Sequence, residues 1–221
     1  MKGLRLRVQK KNMNIATILV TRSKSCHVKT LHTVLRINVQ CLQKNINNQI
    51  VYVDDDPFLK AEMVQKYIKN NDRIIFIDFG IGMDDDSIKQ CFEPHDTVGC
   101  LVFPGVKEGV DWGLFRARVK DGSSEPVSQM GLHFDTEIGM KISEDIYRVK
   151  TTNARAWVMN TKNVTKAMKK SGGGTKIYAK MFEKLIEQGV RVYAFSASKL
   201  TMTYTHECLS NILNAAGVKV N

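Results

Sequence analysis

The sequence predicts an α/β protein, a three-layer α/β/α sandwich on a central mixed sheet whose strands run mostly parallel. Three observations predict it. Short β-rich runs alternate along the chain with stretches whose apolar residues recur every three or four positions. The runs are apolar almost throughout, the pattern of strands buried on both faces. Polar and acidic clusters follow directly after them, at the edge where an open parallel sheet holds its ligands.

The first strand is Asn14–Thr21 (NIATILVT). A helix over 28–44 follows, marked by Leu31, Leu35, Val39 and Leu42 at helical steps. Residues 49–53 form a second strand that runs into Asp54-Asp55-Asp56-Pro57, and 59–70 a second helix carrying Met63, Val64, Tyr67 and Ile68. A third strand covers 73–79 (RIIFIDF) and a fourth 97–103 (TVGCLVF). Beyond it, 105–139 is expected to form long functional loops. Strands are expected at 146–150 and 155–160, and Ser171-Gly172-Gly173-Gly174 marks a loop. A helix over 175–188 ends at Gly189, where a helix terminus favours glycine. Strands at 191–195 and 200–206 and a helix at 207–216 close the chain. No repeat and no shift in composition divides it, so a single domain over 1–221 is expected.

The 221 residues hold 33 Lys+Arg against 22 Asp+Glu, a net charge of +11, and 43% are hydrophobic. This excludes a disordered chain. No apolar run approaches the ~20 residues of a bilayer crossing. The basic N-terminus lacks the apolar segment of a secretory signal. No membrane insertion is expected, and a cytoplasmic location. Cys26, Cys41, Cys91, Cys100 and Cys208 are scattered without a CxxC pair, which speaks against a disulfide framework or a zinc knuckle. The positive charge is spread along the chain, without the interleaved aromatics of a nucleic-acid stripe. It suits small anionic ligands such as nucleotide phosphates, and no nucleic-acid partner is expected.

Four features can carry chemistry. Thr21-Arg22-Ser23-Lys24 follows the first strand and offers amides, hydroxyls and two cations near a helix N-terminus. Asp54-Asp55-Asp56 follows the second; one carboxylate can accept from a base or ribose, and at least one is expected to cap the helix that Pro57 begins. Asp78-Phe79-Gly80 follows the third, where a carboxylate at the end of a buried strand can hold a divalent ion that bridges a diphosphate. Asp84-Asp85-Asp86 matches the acidic first turn of a helix. Thr201 to His206 alternates like a strand and delivers a histidine at its end.

The order of these features, over roughly residues 14 to 215, resembles that of nucleotide-sugar glycosyltransferases of the GT-A fold. Through FPGVKEGVDW and NARAWVMNT it resembles more narrowly the small glycosyltransferases encoded by large algal DNA viruses of the chlorovirus type. The resemblance implies a nucleotide-binding half at about 14–104 and an acceptor and metal half at about 105–221. It implies transfer of a sugar from a nucleoside-diphosphate donor, UDP-linked on family grounds, to a glycan or glycoprotein acceptor. The nucleoside falls to Thr21, Arg22 and Asp54, and the diphosphate to Asp78. A Mn²⁺ or Mg²⁺ ion falls to Asp78 and His206, and the sugar and acceptor side to Trp112 and Trp157.

Two departures bear on the mechanism. Gly80 replaces the second aspartate of the family's DxD-type motif. Gly173-Gly174-Thr175 stands where inverting members carry an acidic pair at the start of the late helix, so a retaining mechanism is favoured, the alternative being a different base. Asp135 and Glu137 are the loop carboxylates nominated as catalytic. The other readings are a nucleotidyltransferase, a basic nucleic-acid-binding module, and a transferase fold that binds nucleotide without turnover.

Overall fold

The computed structural model describes residues 12–94, 97–107, 109–127, 130–172 and 174–203. In chain order the elements are β1 (Asn14–Thr21), α1 (Val28–Gln43), β2 (Asn47–Asp54), α2 (Pro57–Tyr67), β3 (Arg73–Ile77), β4 (Ile81–Met83), α3 (Asp85–Gln90) and β5 (Cys100–Phe103). Then come α4 (Trp112–Lys120), β6 (Thr136–Ser143), β7 (Ile146–Thr152), β8 (Ala156–Asn160), α5 (Thr161–Lys170), α6 (Met181–Glu187), β9 (Val192–Phe195) and β10 (Leu200–Met202).

Eight strands form one sheet in the order β2-β1-β3-β8-β5-β9-β7-β6. β1 is parallel to β2 and β3, and β5 to β9, whereas β8 runs antiparallel to both β3 and β5 and β7 antiparallel to β9 and β6. Six strands therefore point one way and β7 and β8 the other. β8, from the second half of the chain, sits between β3 and β5 from the first, so the two halves share one sheet. β4 and β10 pair separately as an antiparallel ribbon.

The central strands were legible because they are buried on both faces. In β1 every residue after Asn14 is buried, and in β3 all five are. Alternate residues serve opposite layers. Ala16, Ile18 and Val20 join Ile74, Phe76 and Trp157 beneath α2, α5 and α6, where Val64, Val164 and Phe182 meet them. Ile15 and Leu19 join Ile75 and Ile77 beneath α1 and α3, against Val34, Ile37 and Ile88. Each such aliphatic side chain contributes about 1.5–3 kcal/mol when fully buried.

Several expected elements are corrected. Leu31, Leu35, Val39 and Leu42, which mark α1, lie on its solvent face; its buried face is Thr30, Thr33, Val34, Ile37 and Cys41. The inner face is hydroxyl-rich because it meets main chain: Met83 N donates to Thr33 Oγ1 at 3.1 Å, and Arg36 donates to the Met83 carbonyl at 2.7 Å. The expected loop at 105–139 contains α4, capped by Asp111 accepting from Leu114 N, and runs into β6. The expected helix at 175–188 shortens to α6, which ends as foreseen on Gly189 at φ +75°. β4, β6 and α5 were not anticipated. The strand placed at 200–206 is β10 over 200–202, and the helix placed at 207–216 lies outside the described residues.

Burial pushes the thiol of Cys41 up to about 11 and those of Cys91 and Cys100 further still, so these are inert core groups. Cys208 lies outside the described residues. Among the described residues no helix is long and apolar enough to cross a membrane.

Candidate functional site

The carboxyl ends of β1, β2 and β3 lie side by side in register, Thr21 beside Asp54. Thr21 Oγ1 donates to Asp54 Oδ1 at 3.0 Å and to the Val53 carbonyl at 3.2 Å. Arg22 and Ser25 close a tight turn through reciprocal backbone bonds of 3.1 and 2.9 Å. Its central residues, Ser23 and Lys24, hold φ of 50° and 60°, the left-handed region that L-residues avoid. The turn aims the Arg22 side chain back over the sheet edge, where its guanidinium lies 5.1 Å from the centre of the Phe79 ring.

The three consecutive aspartates divide their work. Asp56 caps α2, accepting from Phe58 N and Leu59 N at 2.9 Å each, which confirms the cap expected among them. Asp55 accepts from Arg22 Nε through one oxygen and from Lys60 Nζ through the other, both at 2.6 Å. Burial alone would raise its pKa, but the bonds and charges of Lys60 and Arg22 outweigh that and hold it below the usual carboxylate range. Asp54 is exposed, its Oδ1 accepting from Thr21.

Asp78 is buried at the end of β3. Its Oδ1 accepts from Phe79 N at 2.8 Å and its Oδ2 from Arg155 Nε at 3.1 Å, with Lys60 Nζ 4.0 Å from Oδ1. Arg155 also donates to the Phe79 carbonyl at 2.7 Å, and its own carbonyl accepts from Asp78 N at 2.8 Å. Lys60, Asp78 and Arg155 line a cleft of about 400 Å³, floored by Phe76, Trp157 and Phe182 and rimmed by Tyr178, Lys180 and Glu183. That size and its mixture of aromatic floor and charged rim suit a small-molecule site.

The remaining sequence-nominated residues fall in different places. Asp135 precedes β6 and is buried; its Oδ1 accepts from Gly105 N at 3.1 Å and Thr136 Oγ1 at 2.7 Å. Its Oδ2 is buried with no hydrogen-bond partner among the described residues. Desolvation raises its pKa against the opposing bonds from Thr136 and Gly105 and the nearby charge of Arg155. Glu137 is exposed and paired with Lys150 at 2.9 Å on the edge hairpin of β6 and β7, away from the cleft lining. Trp112 opens α4 against Phe115 and is not part of the cleft lining, whereas Trp157 is a core residue with one edge on the cleft. His206 lies outside the described residues.

Sequence reasoning missed Lys60 and Arg155, and it singled out Asp55 only as one of the three aspartates after β2. A signal existed for the first: Lys60 stands four residues after the capping Asp56, on the first turn of α2. None existed for Arg155, which reaches Asp78 only because β8 inserts antiparallel beside β3.

A divalent ion was expected at Asp78. The described residues around Asp78 do not fit one by themselves: both Asp78 oxygens already accept from N–H groups, one of them a guanidinium, and His206, the expected second ligand, lies outside the described residues. Among the described residues no three His, Cys, Asp or Glu side chains come together as a metal site.

No family model matches the chain, and no curated protein matches it in sequence. Its fold does have solved counterparts. A crystal structure of GalNAc-T7 with UDP, GalNAc and Mn²⁺ superposes over 90% of this chain with a TM-score of 0.50 at 10% identity. A structure of a putative glucose-1-phosphate thymidylyltransferase from Bacillus anthracis in complex with a sucrose covers 94% of this chain and 96% of its own, with a TM-score of 0.46 at 12% identity. The chain spans 45% of the length of the GalNAc-T7 chain. The fold is that of a GT-A-like α/β domain.

Proposed function

We propose that the chain is a glycosyltransferase that moves a sugar from a nucleoside-diphosphate sugar, UDP-linked, to a glycan or glycoprotein acceptor in the cytoplasm. One observation carries the reading: the end of β3 and the start of β8 open onto a cleft whose lining combines hydroxyl, carboxylate and three cationic groups over an aromatic floor, with the ends of β1 and β2 beside β3 on the same edge of the sheet. The GT-A-like fold, shared with a structure crystallised with UDP and GalNAc, supports it.

In this reading Thr21 and Asp54 take the nucleoside, with the Asp54 carboxylate accepting from the base or ribose. Arg22 covers the same edge. The sugar lies over the cleft towards Tyr178 and Lys180. The bond from the sugar's anomeric carbon to the diphosphate breaks as the acceptor oxygen bonds to that carbon, and the acceptor proton ends on the departing diphosphate. A retaining course follows from the glycines at 173 and 174, which supply no acidic pair. Asp135, buried behind Gly105 and outside the lining of the cleft, is the loop carboxylate proposed to answer developing positive charge on the sugar, and Glu137 is the lesser candidate.

The test is turnover of a panel of nucleotide sugars by wild type, Asp54→Ala and Asp135→Asn, with free nucleoside diphosphate as the readout. Release of UDP from a UDP-sugar, reduced in both variants, is the expected result. Consumption of a nucleoside triphosphate and a sugar phosphate with release of pyrophosphate would replace this reading by nucleotidyl transfer. Salt-sensitive binding of DNA or RNA without turnover would replace it by a nucleic-acid module.

A further inference from the structure

We infer that the diphosphate is met by Arg155 and Lys60, with Arg22 beside them, in the place where a divalent ion was expected; the inference rests on the nucleotide-sugar reading above. Its starting point is the second position of the acidic motif. Gly80 has φ +78°, and a Cβ built on it would stand 2.7 Å from the Thr203 carbonyl oxygen. Main chain cannot move aside as a flexible side chain would. The position therefore excludes any side chain, and with it a second carboxylate two residues after Asp78.

The first carboxylate is committed as well. Arg155 holds Asp78 Oδ2 and the Phe79 carbonyl, so the guanidinium braces the turn from two directions. Both side chains are close to nine-tenths buried, 11% and 12% exposed, where a charge pair is poorly screened. A divalent ion at Asp78 would have to enter beside this fixed positive charge, and repulsion between like charges opposes it.

The same cations suit an anion. Arg22 and Lys60 share Asp55, and Lys60 also faces Asp78, so positive and negative groups alternate along the edge from Arg22 to Arg155. Three cations, Arg22, Lys60 and Arg155, face the carboxylates Asp55 and Asp78 along this edge. Lys60 and Arg155 both open onto the cleft. Guanidinium and ammonium groups held in place by carboxylates are preorganised donors for phosphate oxygens, and they supply the charge neutralisation that a metal supplies elsewhere.

UDP titrated calorimetrically into the full chain, once in EDTA and once in Mn²⁺, tests the inference. The Kd is expected to agree within about twofold between the two buffers, and Lys60→Met to weaken it about tenfold in each. Arg155→Lys, which keeps the charge but loses the fork, is expected to weaken it as well, and a circular dichroism spectrum checks that it folds. Lys89→Met, on the exposed face of α3, is the control and leaves the Kd unchanged. Binding that appears only with Mn²⁺ and is abolished by EDTA would overturn the inference while sparing the nucleotide-sugar reading. Absence of binding by UDP and by every other nucleoside diphosphate in both buffers would overturn the reading itself.

Discussion

Thr203 closes over Gly80: its amide donates to the Gly80 carbonyl at 2.9 Å, and its own carbonyl oxygen stands 2.7 Å from where a Cβ on Gly80 would lie. The contact fixes β10 against the turn that carries Asp78, and a side chain at position 80 must break it. Gly80→Asp, which writes an Asp-x-Asp motif into the sequence, is expected to cost about 2 kcal/mol or more and to lower Tm by about 5 °C. It is expected to gain no Mn²⁺-dependent stabilisation. Thermal unfolding with and without Mn²⁺ decides the matter. A variant that keeps its Tm and is stabilised by the ion would show that the closure yields.

Asp54 is exposed and, unlike Asp55 with its two cations and Asp56 with its helix cap, its side chain accepts only the Thr21 hydroxyl among the described residues. Asp54→Ala should leave stability within about 0.5 kcal/mol, as for other surface substitutions. It should weaken uridine-nucleotide affinity by about tenfold, the loss of one charged hydrogen bond. Paired measurements of Tm and UDP affinity separate these effects. A large fall in Tm with no change in affinity would assign Asp54 a purely structural role.

β1, β3 and β8 were legible because burial on both faces leaves an unmistakable apolar run, and the polar residues at the ends of β1 and β3 mark the ligand edge. The sheet's internal order was not. Nothing in AWVMN says that it runs antiparallel between β3 and β5, yet that insertion is what brings Arg155 to Asp78. The α1 stripe misled for a related reason. Its buried face is made of Thr30, Thr33 and Cys41 beside Val34 and Ile37, because main chain of β4 packs there and hydroxyls serve it better than leucines. Local pattern reports burial where apolar side chains are what the neighbour asks for, as in β1 and β3, and fails where the neighbour is main chain, as at α1.

Asp135 gives a dependence on pH whose sign follows from burial. Its folded-state pKa is raised by desolvation. Below the ordinary aspartate range both folded and unfolded chains keep the proton, and Asp135 costs nothing. As pH rises through that range, near 4 for a free aspartate, the unfolded chain ionises first and the folded state loses ground until its own carboxyl ionises; above that the loss is constant. Asp135→Asn carries no such loss. The Tm of the variant minus that of wild type should therefore grow from pH 4 upward and then level off. A difference that stays flat between pH 4 and pH 8 would mean that the carboxyl is not perturbed by its surroundings.

The two tryptophans, both assigned to the sugar side from the sequence, are expected to part company. Trp157 is 3% exposed; it stacks on Phe76 with ring centres 4.9 Å apart and meets Phe182 edge-on. With one face already covered, it is poorly placed to receive a sugar ring, and its contribution is packing. Trp157→Phe should cost about 1–3 kcal/mol through the cavity it leaves, and any fall in turnover should track the fall in folded fraction. Trp112 is 37% exposed at the start of α4, backed only edge-on by Phe115. Trp112→Ala should stay within about 1 kcal/mol of wild type and leave UDP affinity unchanged, while lowering transfer to glycan acceptors relative to simple hydrolysis of the donor. Unfolding curves, UDP titration and the ratio of transfer to hydrolysis separate the two residues. If Trp112→Ala leaves that ratio unchanged, α4 has no part in the acceptor site.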